Sequence, residues 1–209
     1  MNKVILVLIF STITACMGKH TPDTPAALVN ERVGKERSLA NTDSFFINPA
    51  HSTIEWKATE MRGTRLRTGK ILFKSGFIFK KNDSLAGGRF IVEMESMDVT
   101  DVPANEKVAR KNLLNHLKAD DFFNTALYPT STFEITNVQQ QSDSLYHIQG
   151  NLTIREVTRN ISFTAIQQGE YYVAAFTFDR FLWKIAYEGS LLNKTLIDKD
   201  VELNIKIAL

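Results

Sequence analysis

Apolar and polar residues alternate over most of the chain from residue 45 onwards. In the first clear run, Ile54, Trp56 and Ala58 share one face while polar and charged residues occupy the other. Alternation with a period of two predicts a strand with one buried face. Turn-forming clusters at 81–84, 141–144 and 167–170 separate several such runs. The pattern therefore predicts about eight strands joined by short connections.

One segment breaks this period. Val108, Leu113, Leu114 and Leu117 approximate the spacing of one helical face, and Asn105 is a suitable residue to cap the start. The remaining pattern on both sides is that of strands. We therefore predict an all-β domain with one short helical insertion at about 105–118.

Antiparallel strands with one apolar face can form either a two-sheet sandwich or a closed barrel. Closure leaves no exposed edge, and glycines beside the strand patterns suit the bends of a strongly curved sheet. These glycines are Gly69, Gly76, Gly87, Gly88 and Gly150. The interior of an eight-stranded barrel is either filled by side chains or occupied by one small ligand. These features favour a closed antiparallel barrel of about eight strands over a sandwich.

Composition limits the choice of partners. The 209 residues are 44% hydrophobic and carry a formal net charge of +2, which is enough for one well-filled domain and gives no reason to expect nucleic acid as a partner. The single cysteine excludes an internal disulfide and any cluster of cysteine metal ligands. Its role must therefore follow from its position.

That position lies just after a targeting signal. Lys3 precedes the apolar run 4–10 and a series of small residues, a pattern typical of a secretory signal peptide over residues 1–15. The sequence Ile-Thr-Ala-Cys at 13–16 resembles a bacterial lipobox, which implies that Cys16 becomes the first mature residue and carries lipid. The alternatives are an ordinary signal peptide cut nearby and an apolar helix that remains as an anchor.

Residues 16–43 contain few large apolar side chains and show no periodicity. We expect this stretch to be the lipidated N-terminus and a flexible tether, with a reach on the order of 30 Å. The folded domain then covers residues 44–209. The expected location is the cell envelope, with a lipid anchor in a membrane that faces the periplasm or the cell surface.

The ordered motifs of the domain resemble the YceI-like family. The resemblance rests on His51-Ser52, the segment 113–124 that ends in Asp-Asp-Phe-Phe-Asn, Tyr128-Pro129, the run 150–154 and the last strand around 197–203. It implies an eight-stranded lipocalin-like barrel that binds a long polyisoprenoid, such as an isoprenoid quinone, in an apolar pore. Two departures stand out: Glu60 and its neighbours replace a second histidine, and Arg155-Glu156 replaces a common glycine.

Strand parity supplies candidates for the ligand-binding lumen. They are Ile54, Trp56, Phe73, Phe77, Phe90, Val92, Met94, Phe133, Ile148, Leu152, Phe163, Phe176, Phe178 and Trp183. On any one strand the same residues also fit an ordinary core. A further apolar set in and after the helix fits either a lid over the barrel mouth or a simple plug: Leu113, Leu114, Leu117, Phe122 and Phe123.

Catalytic and metal sites find little support. His51 and Ser52 are neighbours on a predicted strand and therefore point to opposite faces, and no G-x-S-x-G motif is present. The four histidines lack the spacing of metal ligands. We predict a binding protein without catalytic residues, metal or cofactor.

Two other functions remain open from the sequence. A fully packed barrel would act in the envelope or in a stress response by binding a protein partner, and an open lumen distinguishes the two cases. An enzyme acting on lipid would need polar side chains that converge inside the lumen. The sequence leaves the oligomeric state open, with a homodimer as one option.

Overall fold

A computed structural model describes residues 20–34, 42–60, 63–185 and 197–209. These residues form ten strands and two helices. The strands are β1 (Leu28–Glu31), β2 (Asp43–Phe46), β3 (Thr53–Glu60), β4 (Arg65–Lys81), β5 (Ser84–Val99), β6 (Thr130–Gln140), β7 (Leu145–Ile154), β8 (Val157–Gln168), β9 (Tyr171–Asp179) and β10 (Ile197–Ala208). The helices are α1 (Lys107–Lys118) and a 3-10 helix (Arg180–Trp183).

Eight of these strands close into a barrel. Each strand from β3 to β10 pairs antiparallel with the next in sequence, and β10 also pairs with β3, for example at Leu203 and Trp56. The alternating residues of every strand therefore face one enclosed interior. This confirms the predicted antiparallel barrel of eight strands with one α-helix.

The two ends of the barrel differ. At one end the strands are joined by short connections, which include Asn82-Asp83 with φ values of 50° and 63°, the left-handed geometry of a tight hairpin. We call this the turn end. The other end carries the β3–β4 connection, α1 and the 3-10 helix, and we call it the helical end. The two ends therefore differ in which polar side chains can reach the barrel interior.

Helix α1 begins at Lys107 with Glu106 as its N-cap, and no side chain caps it by a hydrogen bond. The expected capping role of Asn105 is therefore wrong. Tertiary contacts hold the helix instead: Arg110 Nη2 donates to both carboxylate oxygens of Asp98 at 2.5 and 2.6 Å. Lys118 Nζ donates to the backbone oxygen of Glu95 at 2.5 Å.

A β-bulge in β4 changes which residues face inward. Phe73 pairs with Val92, but Ser75 pairs with Ile91, so β4 contains one extra residue at this point. Ile78 is consequently buried, whereas Phe77 is only half-buried and packs its ring against Phe46 and Phe79. The prediction that Phe77 lines the lumen is therefore wrong, because a one-residue shift moves a side chain to the other face.

The segment expected to be a tether differs from that expectation over residues 20–34. Strand β1 pairs with Arg159–Ser162 of β8, and Ala27 N donates to Thr177 O of β9 at 2.8 Å. The segment thus lies where β8 and β9 separate. Its strand pairing uses backbone hydrogen bonds, which leave no apolar periodicity in the sequence. Cys16 and the signal peptide lie outside the described residues.

Candidate functional site

The barrel encloses a cavity of about 220 Å³ whose lining is almost entirely apolar. Five phenylalanines form a continuous band across its wall: Phe73, Phe90, Phe133, Phe163 and Phe176. Successive ring centroids along this band lie 6.1, 6.4, 5.6 and 4.5 Å apart. The rings offer a smooth apolar surface to a ligand.

Strand β7 contributes no ring to the band because Gly150 lies beneath Phe133. A Cβ atom at residue 150 would stand 2.2 Å from Phe133 Cζ and 2.9 Å from the backbone oxygen of Glu134. The absent side chain lets the Phe133 ring cross β7 and approach Phe163 on β8. Glycine is thus required at residue 150 because the Phe133 ring packs against its backbone, and not because the chain turns there.

Most of the residues assigned to the lumen from strand parity do line the cavity. They are Ile54, Trp56, Phe73, Phe90, Val92, Met94, Phe133, Ile148, Leu152, Phe163, Phe176 and Phe178. Their contact with a ligand remains a prediction.

Trp183 does not line the cavity, contrary to the sequence prediction. It belongs to the 3-10 helix, where a period of two has no meaning, and its side chain is completely buried. Its Nε1 donates to Leu152 O at 3.0 Å, and its ring packs edge-on against Phe178 at 5.2 Å. Trp183 is therefore a structural anchor for the helical end.

Four of the five predicted lid residues line the cavity, and one does not. Leu113, Leu117, Phe122 and Phe123 line the cavity at the helical end, whereas Leu114 does not. Phe122 is buried and packs edge-on against Phe123 at 5.1 Å. These side chains cover the interior, and whether they open as a lid remains a prediction.

Arg155 helps to hold this cover. It occupies the β7–β8 turn with φ 53°, a left-handed conformation that favours glycine. Its Nη1 donates to Phe122 O at 3.0 Å, and its guanidinium lies 5.6 Å from the centre of the Tyr128 ring. The arginine at this turn therefore ties the covering segment to the barrel.

Charged side chains reach the lining only at the helical end, among the residues that the structure describes. Arg67 lies 3.2 Å from Glu60 and 2.8 Å from Asp101. Burial opposes the charge of Arg67, but its interactions with the acceptor carboxylates of Asp101 and Glu60 outweigh this effect and raise the pKa of Arg67. The positive charge of Arg67 thus lies between two carboxylates that neutralise it, which is a structural arrangement.

Arg180 is the most buried charge at this end. Its Nε donates to Asp198 O at 3.1 Å, it also bonds Ile185 O, and its guanidinium stacks 4.5 Å from the Phe181 ring centre. Burial lowers the pKa of Arg180 to about 10. Its hydrogen bonds join the 3-10 helix to β10, which is a structural role.

The sequence analysis missed many lining residues. Most are apolar residues on the inward face and could have been found by strand parity, whereas the polar ones gave no signal. The missed set includes Ala58, Thr59, Glu60, Arg67, Ile71, Ile78, Leu85, Met97, His116, Ser131, Ile135, Ile154, Ile161, Ala165, Tyr172, Val173, Ala174, Arg180, Val201, Leu203, Ile205 and Ile207.

The residues weighed for catalysis have structural contacts. Ser52 is buried, donates to Asn48 O at 2.7 Å and accepts from Ala208 N at 3.0 Å. His51 is exposed at the turn end. Ser52 therefore closes the ends of β3 and β10, and the two residues form no nucleophile and base pair.

A second polar cluster joins the N-terminal segment to β10. The ligand-type atoms of His20, Asp23 and Glu202 lie within 4.8 Å of one another. They are already bonded: His20 Nε2 is 2.8 Å from Glu202 Oε1, and Asp23 N donates to Glu202 Oε2 at 3.0 Å. The sequence could not reveal this cluster because 182 positions separate His20 from Glu202. Its contacts identify it as a latch for residues 20–34.

A family model described as the YceI-like domain matches residues 45–209, the whole barrel. The chain belongs to the YceI-like family. Protein YceI of Escherichia coli strain UMN026 is 44% identical over 57 residues, which cover 26% of this chain and 29% of the relative. A UPF0312 protein of Pseudomonas aeruginosa is 33% identical over 123 residues, which cover 57% and 59%. The chain thus spans less than two thirds of either relative.

Solved YceI-like structures show the same fold. Burkholderia cenocepacia BcnA superposes with a TM-score of 0.59 at 14% identity, over 78% of this chain and 99% of the other. A mutant CJ YCEI protein gives 0.51 at 18% identity, over 85% and 90%. Barrels of this family are binding-protein folds, and the cavity is compatible with an apolar ligand. No described helix has the length and apolar character needed to cross a bilayer.

Proposed function

We propose that this protein is a non-catalytic envelope lipoprotein that binds a long apolar molecule, a polyisoprenoid or an isoprenoid quinone, in the barrel lumen. The observation that carries the proposal is the apolar cavity with its band of phenylalanines. Burial of hydrocarbon yields about 0.8 kcal/mol per methylene, so ten methylenes supply roughly 8 kcal/mol without any polar contact. The length and shape of the chain then determine selectivity.

The isoprenoid class comes from the resemblance to the YceI-like family, and the cavity supports it by its lining. The cavity also speaks against the rival function of a fully packed barrel that acts only through protein partners. The lipid-acting enzyme is disfavoured because the charged lining side chains Glu60, Arg67 and Arg180 are engaged in structural bonds. Binding without chemistry fits the site best.

Binding can be tested with delipidated full-length protein and a radiolabelled isoprenoid quinone. We expect saturable retention of one labelled molecule per chain after size-exclusion chromatography. An excess of an unlabelled isoprenoid quinone should displace the label, and an excess of a short polar quinone should not. Label that elutes only with free micelles at every protein concentration would contradict the proposal.

The membrane anchor is a separate part of the proposal. If Cys16 carries lipid, Cys16→Ser should shift the protein from the membrane fraction to the soluble fraction of its bacterial host. A matched Thr14→Ser variant keeps Cys16 and should remain with the membrane. Mass spectrometry of the mature N-terminus measures the acyl chains directly. Unchanged membrane association of Cys16→Ser, with an unmodified N-terminus in the parent protein, would refute the anchor.

A further inference from the structure

The cavity contains a buried hydroxyl that has no hydrogen-bond partner among the described residues. Tyr172 lies near the start of β9, at the turn end, where it lines the cavity and is 5% exposed. The neighbouring Tyr146, whose ring centroid is 6.1 Å away, donates its hydroxyl to Gln167 Oε1 at 3.1 Å. The described residues thus supply a hydrogen-bond partner to the hydroxyl of Tyr146 but not to that of the neighbouring Tyr172. Buried polar atoms are normally bonded, so Tyr172 requires an explanation.

The charged lining residues at the opposite end, by contrast, are held by ion pairs and hydrogen bonds within the protein. Arg67 Nη1 donates to Asp101 Oδ2 at 2.8 Å, and Arg67 Nε makes no hydrogen bond to the described residues but forms an ion pair with Glu60 at 3.2 Å. Arg180 donates to Asp198 O and Ile185 O. A ligand headgroup at the helical end would therefore have to compete with these bonds. A headgroup at the turn end would instead complete the bonding of Tyr172.

The surroundings of Tyr172 restrict the chemistry of that headgroup. The neighbouring lining side chains at the turn end are apolar, namely Ile54, Ile78, Leu85 and Ile207. Among the described lining residues, none that carries a positive charge lies at this end. A phosphate or carboxylate would be buried there without a counter-charge, which is strongly unfavourable. An uncharged oxygen avoids this cost.

We infer that the ligand carries an uncharged hydrogen-bond acceptor, such as a carbonyl or hydroxyl oxygen, and binds with this oxygen at the turn end as the acceptor for the Tyr172 hydroxyl. The inference rests on the proposed function and adds the orientation and headgroup chemistry of the ligand. Burial, with a contribution from Tyr146, raises the pKa of Tyr172 to about 12. The phenol therefore keeps its proton, and remains a donor, throughout the physiological pH range.

Trp56 offers a competing donor that the experiment must separate. Its Nε1 is also buried without a described partner, and Trp56 lines the cavity. Trp56 pairs with Leu203, which pairs with Phe176, four residues from Tyr172. At about 3.3 Å per residue, the two donors lie at levels roughly 13 Å apart along the barrel. Tyr172 is the more deeply buried of the two and lies at the end without charges.

The test compares probes that share one isoprenoid chain: geranylgeraniol, geranylgeranyl phosphate and the corresponding hydrocarbon. Their affinities are measured on delipidated full-length protein by competition with a labelled isoprenoid quinone. We expect the alcohol to bind about tenfold more tightly than the hydrocarbon, equivalent to 1.4 kcal/mol, and the phosphate more weakly than the alcohol. Tyr172→Phe should remove the preference for the alcohol and leave the affinity for the hydrocarbon unchanged.

Tyr146→Phe is the matched control, because its hydroxyl is already bonded to Gln167. It should preserve the preference for the alcohol. Equal affinities for alcohol and hydrocarbon in the parent protein, tighter binding of the phosphate, or loss of the preference in Trp56→Phe but not in Tyr172→Phe would each overturn the inference while leaving apolar binding intact. Failure of all three probes and of the labelled quinone to bind would refute the proposed function and the inference together.

Discussion

Ala174→Trp is expected to weaken binding of the apolar ligand by at least roughly fiftyfold. Ala174 lines the cavity and pairs with Ala165 across β8 and β9, so this pair of small residues leaves space inside the barrel. An indole at residue 174 would fill that space. Loss of burial for only three methylenes costs about 2.4 kcal/mol, which corresponds to the stated factor. The labelled-quinone titration measures the loss.

The adjacent Ala175→Trp variant provides the control. Ala175 does not line the cavity, and successive residues of a strand point to opposite faces. Its indole should lie on the outer face and leave the affinity within about twofold of the parent protein. Thermal unfolding verifies that both variants fold. Equal affinities for the Ala174 and Ala175 variants would show that the ligand does not use the lumen.

Gly69→Ala should lower the free energy of unfolding by about 3 kcal/mol, at the upper end of the usual cost of overpacking. A Cβ atom at Gly69 would stand 2.1 Å from Asp98 O and 2.2 Å from Trp56 Cζ2. The backbone oxygen belongs to β5, so relief requires the β4–β5 pairing to shift. For a domain of this size the melting temperature should fall by roughly 10 °C.

Gly34→Ala is the appropriate comparison because a Cβ atom there would have no neighbour within 4 Å. Its melting temperature should stay within about 2 °C of the parent value. Differential scanning calorimetry on both variants measures the contrast. If Gly69→Ala and Gly34→Ala had the same melting temperature, the inferred close contact between Trp56 and the backbone of β4 at Gly69 would be refuted.

The barrel could be predicted from the sequence because a strand with one buried face alternates apolar and polar residues. Phe163 and Phe176, for example, alternate with more polar neighbours and do face the interior. The parity rule failed at Phe77 because the bulge between Phe73 and Ser75 inserts a residue that has no signature of its own. It failed at Trp183 because a 3-10 helix follows a different period.

Features held by backbone pairing or by distant partners were not predictable. Strand β1 is mostly exposed, so its pairing with β8 leaves no apolar pattern in residues 28–31. The latch between His20 and Glu202 joins two residues that are 182 positions apart in the sequence. The unsatisfied hydroxyl of Tyr172 depends on where Tyr146 and Gln167 lie, which only the folded barrel specifies.

Native mass spectrometry of the full-length protein as purified from a bacterial host, followed by extraction of any bound lipid, tests the central claim most directly. The parent protein should carry one apolar molecule per chain, and Ala174→Trp should be purified without it while Ala175→Trp retains it. Extraction should identify an isoprenoid chain. A parent protein that is empty, and that takes up no added isoprenoid quinone, would contradict lumen binding.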